Sequence, residues 1–259
     1  MSIYRLFDCL LAAAKAISTM RLPLLVAILA LLGVAGYAQE VETKTGQQKA
    51  KELRDAMLAQ VSDVPGLPRV LLLGDSISMM YTVQVRAQLR GMANVHRPAE
   101  NCFYSANGVK KIDAWLGSGK WEVIHFNFGL HDNNHVDAEG KLTDVAKGKI
   151  IATPAEYEQN MRLIVERLRK TGAVLIFATT TPIPPDSMGR REGAELTYNE
   201  VAERVMREGG VLINDLHHVV VEQKLARLAP NNVHFTEASS QKLAEVVAAK
   251  ITAALAVAK

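Results

Sequence analysis

From Arg69 onward the chain alternates short apolar runs with longer segments whose apolar positions recur at helical spacing. Short runs without polar alternation are what strands buried on both faces look like, because a parallel sheet covered by helices has no wet face. The pattern predicts strands at 70–73, 94–96, 123–126, 174–178 and 211–213. Helices are predicted at 83–90, 109–116, 154–170, 196–208, 216–228 and 237–258. One start is marked by its own chemistry. Thr153 is a capping residue, Pro154 suits the first helical position, and Glu156 completes a capping box. Strand and helix in alternation predict an α/β fold, a three-layer α/β/α sandwich around a five-stranded parallel sheet. The two long connections, 128–152 and 180–195, exceed what joining neighbouring elements requires, and such loops often build binding sites.

Upstream the pattern changes. Residues 39–68 are polar, with one helix-like stretch around 50–61, and end in the breaker-rich Val64-Pro65-Gly66-Leu67-Pro68. This reads as a lead-in segment. Before it, Met20-Arg21 precedes an apolar run from Leu22 to Val34, and Gly36-Tyr37-Ala38 offers small residues where a signal peptidase cuts. Residues 1–38 are therefore expected to be a signal peptide cleaved after Ala38, and a start at Met20 would make it more compact. The run is shorter than the ~20 residues a bilayer span needs, so no stable membrane span is expected after cleavage. Export to the periplasm or the extracellular space follows as an expectation.

The 259 residues, 49% hydrophobic and 22% charged, suffice for one well-buried core, placed at 69–259. A formal charge of +3 with scattered Lys and Arg argues against nucleic acid as a partner. Of the two cysteines, Cys9 lies in the leader, leaving Cys102 without an internal partner.

Candidate chemistry sits at strand ends. Strand 70–73 runs into Gly74-Asp75-Ser76, and open α/β sheets bind ligands at the carboxyl ends of their strands. A helix beginning just after Ser76 would aim backbone N–H groups at an anion forming beside its hydroxyl. Asp-Ser at such a place is also an ordinary helix cap. His234, in the loop Asn231-Asn232-Val233-His234, is not on a periodic apolar face, which suits a working imidazole that takes a serine proton. At the end of strand 123–126, Gly129 allows close backbone approach, and Asn127, His131 and Asp132 offer polar groups for an oxyanion hole or a structural turn. His131, Asp132 and His135 lack the spacing of helix-borne zinc motifs, so no metal and no cofactor are expected.

In this order, Gly74-Asp75-Ser76, Gly129-Leu130-His131-Asp132 and Asn231 to His234 resemble the blocks of the SGNH/GDSL hydrolase family, with Thr180-Thr181-Pro182 and Tyr198-Asn199 adding to the likeness. The resemblance implies the flavodoxin-like fold of that family, Ser76 as nucleophile and oxyanion donor, and His234 as general base. It places His131 where the family has an asparagine and Phe103 near the second block's glycine. It puts Asn231 where the family has the carboxylate that orients the histidine. An amide oxygen accepts the imidazole N–H but carries no charge; Asp215 is the alternative carboxylate, or the cap of the following helix.

The implied reaction is cofactor-free ester hydrolysis. Its substrates range over carbohydrate O-acetyl esters, lysophospholipids, thioesters and small aryl esters. Long polar loops and the aromatic residues Phe103, Tyr104 and Phe128 lean toward glycans. A non-catalytic glycan- or lipid-binding protein on the same scaffold is the rival, and oligomeric state is left open.

Overall fold

The computed structural model describes residues 47–258. The leader read at 1–38 and the first part of the lead-in lie outside the described residues. From Ala56 onward the chain forms one compact unit, and the main sheet belongs entirely to it.

That unit is built on five parallel strands: β1 (Arg69–Leu73), β2 (Asn94–His96), β3 (Val123–Phe126), β6 (Val174–Ala178) and β7 (Leu212–Asn214). A separate antiparallel pair, β4 (His135–Val136) and β5 (Lys149–Ile150), lies within the long connection after β3. The helices are α1 (Ser76–Gln88), α2 (Ser105–Leu116), α3 (Pro154–Arg169), α4 (Ala194–Gly209), α5 (Leu216–Glu222) and α6 (Glu237–Val257). The main sheet runs in the order β2-β1-β3-β6-β7, a doubly wound arrangement with β1 and β3 side by side where the winding reverses. Their register pairs Val70 with Val123 and Leu73 with Phe126, so both strands end at the same level.

Each strand feeds two cores because successive side chains point to opposite faces. Val70 and Leu72 pack with Ile77, Tyr81 and Val85 of α1 and with Leu243, Val247 and Ile251 of α6. Leu71 and Leu73 pack on the other face with Ile112 of α2, Met161 and Ile164 of α3, and Val205 and Met206 of α4. At ~1.5–3 kcal/mol for each large apolar side chain fully buried, these two cores dominate the stability.

The five strands stand where the alternation placed them, β7 one residue later than expected. Three helices differ. α1 begins at Ser76 and not near 83, because the Asp75 side chain caps it by accepting from the Ile77 N–H at 2.9 Å, a local signal stronger than the weak periodicity of its first turns. α2 likewise starts earlier, at Ser105. α5 stops at Glu222 and not at 228, where Lys224 adopts a left-handed φ of 49°. The β4–β5 pair has no counterpart in the apolar pattern, since two-residue strands carry no periodic signal. From Ala56 onward the lead-in is bound to the β2 edge: Asn94 Oδ1 accepts the Val64 N–H at 2.9 Å, and Arg86 donates to the Ala56 and Ala59 carbonyls.

Candidate active site

The exits of β1 and β3 define the crevice. Asp75 and Ser76 follow β1 directly, and the connection after β3 carries Gly129, His131 and Asp132. Ser76 opens α1, so its own N–H is a free first-turn donor of a helix whose dipole favours negative charge there.

Ser76 and His234, 158 residues apart in sequence, meet here with Oγ and Nε2 at 2.8 Å. On the far side of the ring, His234 Nδ1 lies 2.9 Å from Asn232 Oδ1, and the same oxygen accepts the His234 backbone N–H at 2.9 Å. A carbonyl oxygen only accepts, so Nδ1 holds the proton and Nε2 presents its lone pair to the serine hydroxyl. This is the tautomer a general base requires. Burial lowers the His234 pKa, the Arg190 and Arg227 charges add to the effect, and Asp75 opposes it. The imidazole is thus neutral and ready to accept a proton at neutral pH.

The loop bearing His234 is fixed by Arg227, which donates to the Val233 carbonyl at 2.7 Å and to those of Asn232 and Pro182, with its guanidinium 4.5 Å from the Phe235 ring centroid. Beneath Ser76, the fully buried Arg97 holds the nucleophile turn by donating to Gly74 O, Ser78 Oγ and Thr82 Oγ1.

His131 is half-buried. Its Nδ1 lies 3.3 Å from the side-chain amide of Asn134. Burial lowers its pKa, and the neighbouring Arg190 and His234 charges lower it further against the pull of Asp75. It is therefore a neutral imidazole beside the Ser76–His234 pair. The Phe103 ring stands edge-on to it at 5.4 Å between centroids.

Three residues singled out in the sequence are placed differently from expectation, and Asp215 takes the second of the two roles read for it, the helix cap. Asn231 is exposed and makes no hydrogen bond with His234; Asn232, one residue closer, takes its place, because an Asx turn from position i to i+2 brings the amide oxygen against both His234 donors. The Phe103 N–H is occupied, donating to Asn101 Oδ1 at 2.8 Å with φ at 57°, so Phe103 contributes its ring and not an oxyanion donor. Asp132 is fully buried, accepting from the Ser105 N–H and hydroxyl; burial raises its pKa to about 6, and its work is to pin the start of α2. Asp215 caps α5, accepting from the His218 N–H at 3.0 Å and the Thr179 hydroxyl at 2.9 Å. Gly129, at φ 140°, lets the β3 exit press against Thr180, whose Oγ1 would lie 2.3 Å from an added Cβ.

Asn232 was missed, its only signal being its place in an Asn-Asn pair two residues before a histidine, and Arg190 and Arg227 carry no sequence signal. His131, Asp132 and His135 do not converge: His135 turns to the Gly189 carbonyl, and no group of three His, Cys, Asp or Glu able to hold a metal occurs among the described residues. No helix among the described residues is long and apolar enough to cross a membrane.

No family model and no curated protein matches the chain. Solved structures do. An acetyl xylan esterase superposes with a TM-score of 0.57 at 14% identity over 71% of this chain and 99% of its own. An aryl esterase of M. smegmatis gives 0.55 at 14% over 72% and 99%. A protein of Parabacteroides merdae named for its likeness to GDSL lipases gives 0.58 at 12% over 74% and 98%. The chain has the SGNH/GDSL hydrolase-like fold.

Proposed function

We propose that this chain is a carboxylic ester hydrolase working through a Ser76 acyl-enzyme. The observation that carries this is the 2.8 Å contact between Ser76 Oγ and the unprotonated nitrogen of His234, at the crevice where a doubly wound sheet binds ligands. His234 Nε2 takes the serine proton as Oγ attacks the ester carbonyl. The imidazolium that forms is held by Asn232 Oδ1 at Nδ1. The oxyanion is met by the Ser76 N–H at the start of α1 and by the His131 ring N–H, an imidazole donor where the family resemblance has a carboxamide. His234 then returns its proton to the leaving alcohol, and water, activated in the same way, releases the acid.

Asn232 supplies orientation without charge. Losing the charge of an orienting aspartate costs about 10⁴ in turnover in a serine protease, where the substitution also selects the wrong tautomer. Here both His234 donors fix the amide oxygen toward the ring, so the tautomer is correct and the cost is confined to missing electrostatic stabilisation.

For substrate, the proposal is a small acyl group on a carbohydrate. The acetyl xylan esterase among the structural neighbours supports it, as do the long connections beside the crevice. Lipid or thioester substrates are the second choice. The leader read at 1–38 makes export part of the same proposal.

The test is hydrolysis of p-nitrophenyl acetate and labelling by a fluorophosphonate, beside Ser76→Ala and His234→Ala. Turnover and labelling by the native chain, with both lost in Ser76→Ala and turnover lost in His234→Ala, support the assignment. A folded native protein that neither turns over nor labels rejects it in favour of a binding protein on this scaffold.

A further inference from the structure

A desolvated cation needs a carboxylate or a full set of oxygen acceptors, because burying it unpaired is costly. The buried and half-buried arginines of the described residues meet this need to different degrees, and Arg190 meets it least. Arg69 pairs with Asp63 and Arg167 with Asp113. Arg86, Arg97 and Arg227 each donate to several main-chain or hydroxyl oxygens. Arg190 has a single long contact, 3.4 Å to the carbonyl of Met188 two residues away, and its Nε, like that of Arg97, is shielded from solvent with no partner. No carboxylate among the described residues forms an ion pair with it.

The fold nevertheless holds Arg190 in place. Its neighbour Gly189, at φ 69°, is clamped by the His135 main-chain N–H at 2.7 Å, with His135 Nδ1 3.2 Å from the same carbonyl. An added Cβ on Gly189 would sit 2.9 Å from Leu142 and 3.1 Å from the His135 carbonyl oxygen. The two long connections are therefore locked together one residue before Arg190. His135 directly follows Asn134, whose side-chain amide lies 3.3 Å from His131 Nδ1, so the lock seats Arg190 against the loop that carries His131. The Arg190 charge disfavours protonation of both His131 and His234. Asp75, the negative charge that acts on it, spends Oδ1 on the Ile77 N–H and leaves Oδ2 without a partner. Arg190 is thus an unsaturated cation on a locked segment beside the loop that bears His131.

We infer that Arg190 is a subsite for an anionic group of the substrate, so that the preferred esters carry a carboxylate, or a sulfate or phosphate, near the scissile bond. An O-acylated acidic glycan is the class this describes. The planar fork of a guanidinium matches such oxyanions in bidentate geometry. The inference takes from the esterase reading only the bond that is cleaved; the anion site stands on Arg190.

The experiment compares 4-acetoxybenzoate with its neutral isostere 4-acetoxybenzamide. The native chain is expected to favour the acid at least about tenfold in kcat/KM, the scale of one charge-assisted hydrogen bond. Arg190→Gln should bring that ratio near one, and Arg190→Lys should keep part of it. Raising ionic strength on the native protein should shrink it, an arm independent of any variant's folding. A ratio near one in the native chain, or a ratio unchanged in folded Arg190→Gln, overturns the inference. If neither ester is cleaved, the esterase reading fails separately. Calorimetry on Ser76→Ala then decides, with tighter binding of the acid than of the amide supporting the anion site and equal binding overturning it.

Discussion

Replacing Asn232 tests the arrangement of the proposed base most directly. Its Oδ1 accepts from both the ring and the main chain of His234, each at 2.9 Å. Asn232→Ala removes the one acceptor of both bonds from a half-buried site, a loss of ~1–3 kcal/mol in the state where the imidazole must be held and charged. Turnover of p-nitrophenyl acetate should fall about 10- to 100-fold, with KM within about twofold, since the lost contacts do not touch substrate. Asn232→Asp should act in the opposite sense. Two unit charges 4 Å apart interact by ~4 kcal/mol at an effective dielectric of 20, and desolvation of the new carboxylate offsets part of that. The net expectation is a rise in the His234 pKa of about one to two units.

The pH profile reads that change. In the native chain the His234 pKa lies below 6.5, so kcat/KM should rise with pH through a midpoint under that value and be level at neutral pH. In Asn232→Asp the rise moves to higher pH and the plateau gains height, because the imidazolium is then stabilised. Asn231→Asp and Asn231→Ala are the controls, and both should leave the profile where it was. Full activity in folded Asn232→Ala, or a loss that follows Asn231 instead, refutes the Asx-turn arrangement.

Arg227→Met should lower turnover about tenfold and raise amide exchange across 231–235, since it frees the carbonyls of Val233, Asn232 and Pro182; hydrogen exchange with mass spectrometry measures the second effect. Gly129→Ala should cost ~2 kcal/mol or more, because φ 140° excludes a side chain and the Cβ would meet Thr180 Oγ1, so a lower melting temperature is expected. The Asp132 pKa is raised from 3.8 to about 6 by burial, so its contribution to stability is fullest below 3.8 and is lost as pH rises through 6. Asp132→Asn removes that dependence, and its melting temperature relative to the native chain should therefore improve between pH 4 and pH 8.

The sequence alone determined the layers of the fold and two members of the site. Runs such as Val70–Leu73 and Val123–Phe126 specify buried parallel strands because side-chain burial is written directly into local composition, and the Thr153–Glu156 capping box is a wholly local interaction. Ser76 at a strand exit and His234 in a loop were legible for the same reason: each is a local fact about one element's end. Contacts between ends were not. The tertiary structure decided that Asn232 and not Asn231 turns toward His234, that the Phe103 N–H is spent on Asn101, that Asp132 serves Ser105, and that Arg190 keeps a single long contact. Each depends on a backbone dihedral or a loop crossing of an ångström or two. Hydrophobic periodicity fixes which face a residue occupies but not where, along a loop, its polar atoms stop.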